Sequence, residues 1–261
     1  MKWTWLPLAL GLSAFSHASY EMMLVLDGSS QIHRYDAENR VYLGAIPVNG
    51  NTTYGLASRG NEVATVVGTG TGFAVHRYNI HSGRPLGSFA LPTGFVPGIN
   101  DDCISYDRAG NLLVSGQDFN NQVGGGRGTF RFSLSGVQSG TTIRWSAIDF
   151  NHIYAQEMPN SNFYVVANST TNTWPNRIMG FTPTNTLIGN YVFSTHAFQG
   201  SGYLMSASGT DNRLVLTEIT GSSQKLYFFR QTGGNPTLVN SLTLGTDLTS
   251  GIYESRAVMG H

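Results

Sequence analysis

The segment IHRYDAENRVYLGAI at residues 32–46 has a second copy in the chain, VHRYNIHSGRPLGSF at residues 75–89. Both copies begin with an apolar residue followed by His-Arg-Tyr-Asp/Asn, continue through a turn, and end in Leu-Gly and an alternating apolar strand. The equivalent tyrosines, Tyr35 and Tyr78, are 43 residues apart. Self-similarity at a period of this size indicates a repeat architecture.

Three weaker copies follow the first two. They are TFRFSLSG (129–136), IMGFTPTN (178–185) and LYFFRQTGG (226–234). When Phe132, Phe181 and Phe229 are taken as the equivalents of the tyrosines, successive copies lie 54, 49 and 48 residues apart.

Each copy is preceded by an apolar run of strand length, and most of these runs are introduced by a Gly- or Asn-containing turn. These runs lie at 22–28, 62–68, 112–116, 163–169 and 213–219. Further short strands are predicted ahead of the turns, at 53–59, 102–108, 152–158 and 202–208. Four short antiparallel strands in each repeat of this length are typical of β-propeller blades. We therefore predict an all-β propeller of five four-stranded blades, with six blades as the alternative.

The first repeat lacks an inner strand, because residues 22–28 already form its second strand. The C-terminal segment 253–259 is a predicted strand with no further strands after it. We expect this last strand to complete the first blade and to close the ring, which removes the exposed sheet edges that favour aggregation.

The repeat RYD-x6-LG at 34–44 and the segment DRAGNLLVSG at 107–116 resemble the secreted bacterial propeller repeats of the NHL and YVTN-like group. The later repeats depart from that pattern, since Gly180 and Phe228 stand where the arginine is expected. The resemblance implies the propeller fold, in a group that includes lectins, lactonases and scaffolds. It transfers no catalytic residue to this chain.

The N-terminus has the features of a signal peptide. Lys2 is followed by the apolar run WTWLPLALGLSAF (3–15), which leads into the small-x-small site Ser16-His17-Ala18. We predict a signal peptide at 1–18 and a single propeller domain at 19–261, secreted or periplasmic. No second apolar stretch reaches transmembrane length, so no membrane insertion is expected for the mature chain. The only cysteine, Cys103, is predicted to be a buried thiol.

The charge composition limits the possible partners. The chain carries 15 basic and 15 acidic residues, and Lys2 and Lys225 are its only lysines. A neutral chain with scattered arginines lacks the basic patch of a nucleic-acid-binding protein, so no nucleic-acid partner is expected. The sequence instead predicts recognition through hydrogen bonds and aromatic contacts.

Two loops that follow second strands are long and polar, QDFNNQVGGGRG (117–128) and NSTTNTWPNR (168–177), whereas those at 27–31, 68–72 and 220–225 are short. Long loops on a rigid scaffold commonly carry function. An exposed aromatic residue beside amides and charged groups suits a carbohydrate or protein ligand. The candidate ligand-binding residues are Asp118, Asn120, Asn121, Arg127, Trp174, Asn176 and Arg177. The alternative is that both loops are merely solvated.

Alignment of the predicted inner strands places Asp102, His152 and His196 at nearly the same position in three blades. Inner strands converge on the central channel, and two imidazoles with a carboxylate can hold a divalent metal. The alternative is a polar channel lining bridged by water, with no cofactor.

Two further residue types recur at fixed positions of the repeat. His33 and His76 share one position, and Arg34, Arg77 and Arg131 share the next. We predict structural roles for both sets, with the arginines pairing with Asp36 or with backbone carbonyls of a neighbouring blade.

No Gly-x-Ser-x-Gly, Walker or His-Glu-x-x-His motif is present. The acids near inner strands, Asp101, Asp102, Glu157 and Glu254, match no glycosidase pattern. The sequence therefore favours an exported, non-catalytic propeller that binds a protein or glycan. The alternatives are a hydrolase or lactonase with a carboxylate or metal site at the channel mouth, and a structural envelope or matrix protein.

Overall fold

A computed structural model describes the chain in separate stretches. They are residues 22–26, 30–36, 41–50, 52–98, 103–118, 126–144, 150–169, 177–192, 203–207, 213–220, 223–230, 237–244 and 254–258. Every regular element within these stretches is a β-strand, as the repeat pattern predicts. The predicted signal peptide at 1–18 lies outside the described residues.

The strands are numbered in chain order. The first ten are β1 (Met22–Leu26), β2 (Gln31–Asp36), β3 (Val41–Pro47), β4 (Thr52–Arg59), β5 (Glu62–Thr69), β6 (Gly72–Asn79), β7 (Pro85–Ala90), β8 (Phe95–Pro97), β9 (Ile104–Tyr106) and β10 (Leu112–Asp118). The other ten are β11 (Gly126–Phe132), β12 (Phe150–Glu157), β13 (Phe163–Ser169), β14 (Arg177–Phe181), β15 (Leu187–Val192), β16 (Tyr203–Ala207), β17 (Arg213–Thr220), β18 (Ser223–Arg230), β19 (Thr237–Leu244) and β20 (Glu254–Val258).

These strands form five four-stranded antiparallel sheets, which we number as blades in the order of their central hairpins. Blade 1 has the order β20-β1-β2-β3, and blade 2 has the order β4-β5-β6-β7. In blade 3, β8 and β9 both pair with β10, which in turn pairs with β11. Blades 4 and 5 have the orders β12-β13-β14-β15 and β16-β17-β18-β19. The all-β propeller predicted from the repeats is therefore confirmed as the fold class.

The C-terminal strand pairs with the first strand of the chain. β20 lies antiparallel to β1, with Val258 opposite Met22 and Glu254 opposite Leu26. The inner strands also contact one another in a cyclic order, from β20 to β4, β9, β12, β16 and back to β20. Five blades and a closed ring stay predictions, which this order of contacts favours.

Blade 3 differs from the predicted pattern at its inner strand and at its outer strand. Its inner strand, predicted as 102–108, consists of two short strands, β8 and β9, that pair with different parts of β10. Its outer edge is an irregular segment that touches β11 through the bridges Thr129–Ile143 and Phe132–Gln138. Gly140 has a φ of +68° there, and this left-handed conformation interrupts the alternation of a regular strand.

The core lies between neighbouring blades. One buried cluster joins blades 1 and 2 and contains Leu24, Ile32 and Leu56. A second joins blades 2 and 3, where Phe95 packs edge-on against Phe130 with ring centroids 5.3 Å apart. A third cluster joins blades 3 and 4. Blades 2 and 3 thus each bury both faces against their neighbours, which is how a small sheet obtains a core without helices.

Cys103 belongs to the cluster between blades 2 and 3 and is fully buried, as predicted. Its thiol Sγ lies 3.4 Å from the carbonyl oxygen of Tyr54 in the neighbouring blade. A small, weakly polar side chain that packs in the core is typical of a structural thiol.

Candidate functional site

Hydrogen bonds between blades 3 and 4 define which ends of their strands lie together. Ser105 donates its hydroxyl to the carbonyl of Ala155, and the backbone N–H of Arg108 donates to the Glu157 carboxylate at 2.8 Å. We call this side of the blades, where the turns after β4, β9 and β12 lie, the turn edge. The opposite side, where β10 and β13 end and β11 and β14 begin, is the long-loop edge.

Both long loops emerge from paired strands at the long-loop edge. β10 and β11 stay in register as far as Asp118 opposite Gly126, and β13 and β14 as far as Ala167 opposite Arg177. Of the predicted loops 117–128 and 168–177, residues 117–118, 126–128, 168–169 and 177 belong to strands, and residues 119–125 and 170–176 lie outside the described residues. Their roots are fixed by regular sheet pairing.

Three of the seven predicted ligand-binding residues belong to these roots. Asp118 is the last residue of β10, and Arg177 is the first residue of β14. Arg127 is in β11, where it lies opposite Gln117 of β10. The two arginine side chains are half-buried. The other four predicted residues, Asn120, Asn121, Trp174 and Asn176, lie outside the described residues.

The predicted metal constellation is described at one residue only. His152 lies in β12 opposite Ala167, beside a register irregularity between His152 and Tyr154. Asp102 and His196 lie outside the described residues. Within the stretches that the structure describes, no three His, Cys, Asp or Glu side chains come together as a metal site.

Glu157, one of the acids considered for glycosidase chemistry, serves a contact between blades. It ends β12 at the turn edge, whereas His152 lies near the other end of the same strand. Its carboxylate accepts the backbone N–H of Arg108 from blade 3. Of the other acids considered, Glu254 begins β20, and Asp101 lies outside the described residues.

An open cleft of about 650 Å³ lies between blades 3 and 4 at the turn edge. Its lining residues are Asp107, Arg108, Ala109, Asn111, Arg131, Ser139, Gly140, Glu157 and Ser161. The charged groups balance, with two arginines against two acids. The buried Ser139 hydroxyl has no hydrogen-bond partner among the described residues.

Most of the polar groups in this cleft already hold the fold together. The Asp107 carboxylate accepts the backbone N–H of Asn111 at 2.7 Å and its side-chain amide at 2.9 Å. It also forms an ion pair with Arg131, with Nε and Oδ2 2.8 Å apart. The Arg131 guanidinium lies 5.2 Å above the ring of Phe163 in blade 4. The cleft is therefore a structural junction.

The recurring arginines have structural roles, as predicted. Arg34 donates to the carbonyl oxygens of Ile80 at 2.9 Å and of His81, both in the next blade, so the predicted contact with a neighbouring blade is confirmed. Arg77 instead forms an ion pair with Glu62 of its own blade at 3.1 Å. Glu62 also accepts the hydroxyl of Tyr106 from blade 3 at 2.6 Å.

The recurring histidines lie half-buried on their strands. His33 Nδ1 is 3.1 Å from the hydroxyl of Tyr42 on the outer strand of its blade. His76 Nδ1 is 3.4 Å from the hydroxyl of Tyr78, and burial lowers the pKa of His76. Both contacts lie within one blade, which agrees with the predicted structural role.

A second pair of arginines repeats at the turn edge, and the sequence reading did not assign it a role. Arg59 donates to the carbonyl of Arg108 at 3.2 Å, and Arg108 donates to the carbonyl of Pro159. Each arginine thus joins the turn of one blade to the equivalent turn of the next. The signal was present in the sequence, because both residues precede a Gly-Asn turn at a spacing of 49 residues.

Comparison with solved structures supports the propeller fold. A protein of unknown function from Bacteroides caccae aligns with a TM-score of 0.56 and 13% identity, over 86% of this chain and 73% of that one. The luciferin-regenerating enzyme aligns with a TM-score of 0.55 and 11% identity, over 87% and 74%. The β-propeller domain of Cps50 (Swd1) from Myceliophteria thermophila aligns with a TM-score of 0.52 and 6% identity, over 85% and 72%.

At sequence identities of 6–13%, these similarities show the fold and no function. Neither a protein-family model nor a curated protein matches the sequence. Among the described residues, no helix is long and apolar enough to cross a membrane.

Proposed function

We propose that the protein is an exported, non-catalytic β-propeller that binds a glycan or protein ligand at its long-loop edge. The observation that supports this proposal is the placement of the strand ends on either side of the two long loops. The strands that flank both loops end at the same edge of neighbouring blades, where Asp118 pairs with Gly126 and Ala167 pairs with Arg177. A rigid base with extended polar loops is the usual arrangement of a binding surface on a β-scaffold.

Blade 2 provides an internal contrast for this edge. Its equivalent hairpin closes with the tight turn Thr69–Gly72, where Thr69 lies directly opposite Gly72. A tight turn is sufficient to join the strands, so the seven-residue connections at 119–125 and 170–176 are not required by the fold. We infer that their length serves a ligand.

The composition of the two loops favours a glycan over a protein. The loops contain four asparagines, one glutamine and three threonines, with Trp174 and Phe119 as their aromatic residues. Amide and hydroxyl groups match the hydroxyls of a sugar, and an indole ring provides a stacking surface. The cores of protein interfaces are instead rich in large apolar and aromatic residues.

Substitution of Trp174 tests the proposal. Trp174→Ala is expected to lower ligand affinity at least tenfold, because it removes the largest stacking surface of the loops. The measurement is binding of the purified protein to a glycan array, followed by titration calorimetry with the oligosaccharides that bind. Tyr42→Ala is the matched control, since Tyr42 is also an exposed aromatic residue, at 51% exposure, but lies on the outer strand of blade 1.

The outcomes separate the alternatives. Binding that survives a chelator and depends on Trp174 supports the proposal. Binding that is lost with the chelator favours the metal at the channel mouth, with Asp102, His152 and His196 as its ligands. If wild-type protein binds neither glycans nor proteins, the proposal is wrong and a structural role is favoured.

A further inference from the structure

We infer that the long-loop edge between blades 3 and 4 is a binding site for the acidic group of a glycan, formed by Arg127 and Arg177. This inference rests on the proposed function and narrows it to one ligand class, oligosaccharides that carry carboxylate or sulfate groups. Its basis is that the two arginines, which come from different blades, lie on the facing sides of the same interface.

The first step places Arg127. Antiparallel partners project to the same side of a sheet, and successive residues alternate between the two sides. Arg127 therefore shares a side with Gln117, its partner, and with the pair formed by Arg131 and Leu113 four residues along. Leu113 belongs to the buried cluster between blades 3 and 4. Arg127 thus lies on the side of blade 3 that faces blade 4.

The second step places Arg177. It lies opposite Ala167 and shares a side with the pairs Met179–Val165 and Phe181–Phe163. Apart from Arg177, every residue of these three pairs belongs to the buried cluster that includes Leu113. Arg177 thus lies on the side of blade 4 that faces blade 3.

The third step compares how far the two arginines lie from the turn edge, along the direction of the strands. The Arg131 guanidinium lies over the Phe163 ring near the turn edge. Arg127 lies four residues from Arg131 along β11. Ala167 lies four residues from Phe163 along β13, and Arg177 is its partner in β14. Both arginines therefore reach the long-loop edge at the same level.

The local environment suits an anion. Both guanidinium side chains are half-buried, and burial lowers the pKa of Arg177, although an arginine keeps its charge in proteins. The planar guanidinium group pairs with carboxylates and sulfates through two parallel hydrogen bonds.

Three uncharged polar side chains are described on the same side of blade 3 as Arg127. Gln117 is half-buried beside Arg127, and below it the hydroxyls of Ser115 and Thr129 hydrogen-bond to each other at 2.8 Å. An amide beside two guanidinium groups offers donors and an acceptor to the ring hydroxyls of a sugar acid. The same set of side chains offers no apolar anchor to an acidic peptide.

The test uses an array on which every uronate- or sulfate-bearing oligosaccharide has a neutral counterpart, together with a soluble glutamate-rich peptide. We expect the wild-type protein to bind acidic members at least tenfold more tightly than their counterparts, and to lose this preference as salt is raised. Arg127→Gln and Arg177→Gln should each weaken binding of the acidic members about tenfold and leave neutral members unchanged. Arg84→Gln, an exposed arginine in the turn between β6 and β7, is the matched control and should change neither.

Lysine variants and thermal unfolding distinguish a loss of binding from a loss of folding. Arg127→Lys and Arg177→Lys keep the charge but not the planar fork, so each is expected to bind acidic members with intermediate affinity at an unchanged Tm. If glycans bind but acidic and neutral members are equivalent, the inference is wrong while the proposed function stands. Arginine-dependent binding of the peptide alone would show that the ligand class is wrong. If nothing binds, the proposed function itself fails.

Discussion

Replacing Asp107 with alanine is expected to lower the free energy of unfolding by about 3–5 kcal/mol. The Asp107 side chain is 3% exposed, and it is the counterion of Arg131, whose side chain is 17% exposed. Its removal leaves a largely buried guanidinium beside Phe163 without this carboxylate. The turn at 107–111 also loses two hydrogen bonds to Asn111. Urea unfolding followed by tryptophan fluorescence measures the change.

A double variant distinguishes the buried charge from the lost turn contacts. Arg131→Met keeps an unbranched side chain over Phe163 but carries no charge. In the Asp107→Ala background this second substitution is expected to recover about 1–3 kcal/mol, since a buried ion pair replaced by apolar groups is often nearly neutral. If the two substitutions instead destabilise additively, the ion pair is not what makes Asp107 important.

The repeat pattern predicts the strands well wherever a strand is long and alternates. The predicted runs at 62–68 and 163–169 correspond to Glu62–Thr69 and Phe163–Ser169. β8 was not predicted, because three residues are too few to show a period of two. Its position depends on pairing with Gly116, Gln117 and Asp118, which is a tertiary contact.

The candidate site could be predicted only in part, for a reason that lies in propeller geometry. Arg127 stands five residues before the repeat marker Phe132, and Arg177 stands four residues before Phe181. A linear alignment therefore assigns them to different repeat positions and to opposite sides of their sheets. However, the side of blade 3 that faces blade 4 is the opposite side from the one with which blade 4 faces blade 3. Two residues whose repeat positions differ by one can therefore lie at the same interface. This relation becomes visible only when the core clusters show which sides face each other.

Gly116→Ala is expected to destabilise the protein by about 3 kcal/mol, the upper part of the range for overpacking. A Cβ atom at Gly116 would lie 2.4 Å from the carbonyl oxygen of Val96 and 2.9 Å from Cζ of Phe95. The nearest atom is backbone, so β8 would have to separate from β10 to make room. Phe95 is 1% exposed, and its movement would disturb the core between blades 2 and 3. The free energy of unfolding in urea is the measurement.

Gly68 in blade 2 is the matched control, because it also lies near the end of a second strand. A Cβ there would meet its nearest neighbour, Cε2 of Tyr54, at 3.6 Å, which is ordinary van der Waals contact. Gly68→Ala is therefore expected to leave stability unchanged or to raise it by about 0.5 kcal/mol, since alanine restricts the unfolded chain. Equal losses at Gly68 and Gly116 would contradict the explanation, because strand propensity would then account for both. A loss confined to Gly116 would show that the close approach of β8 requires a glycine at this position.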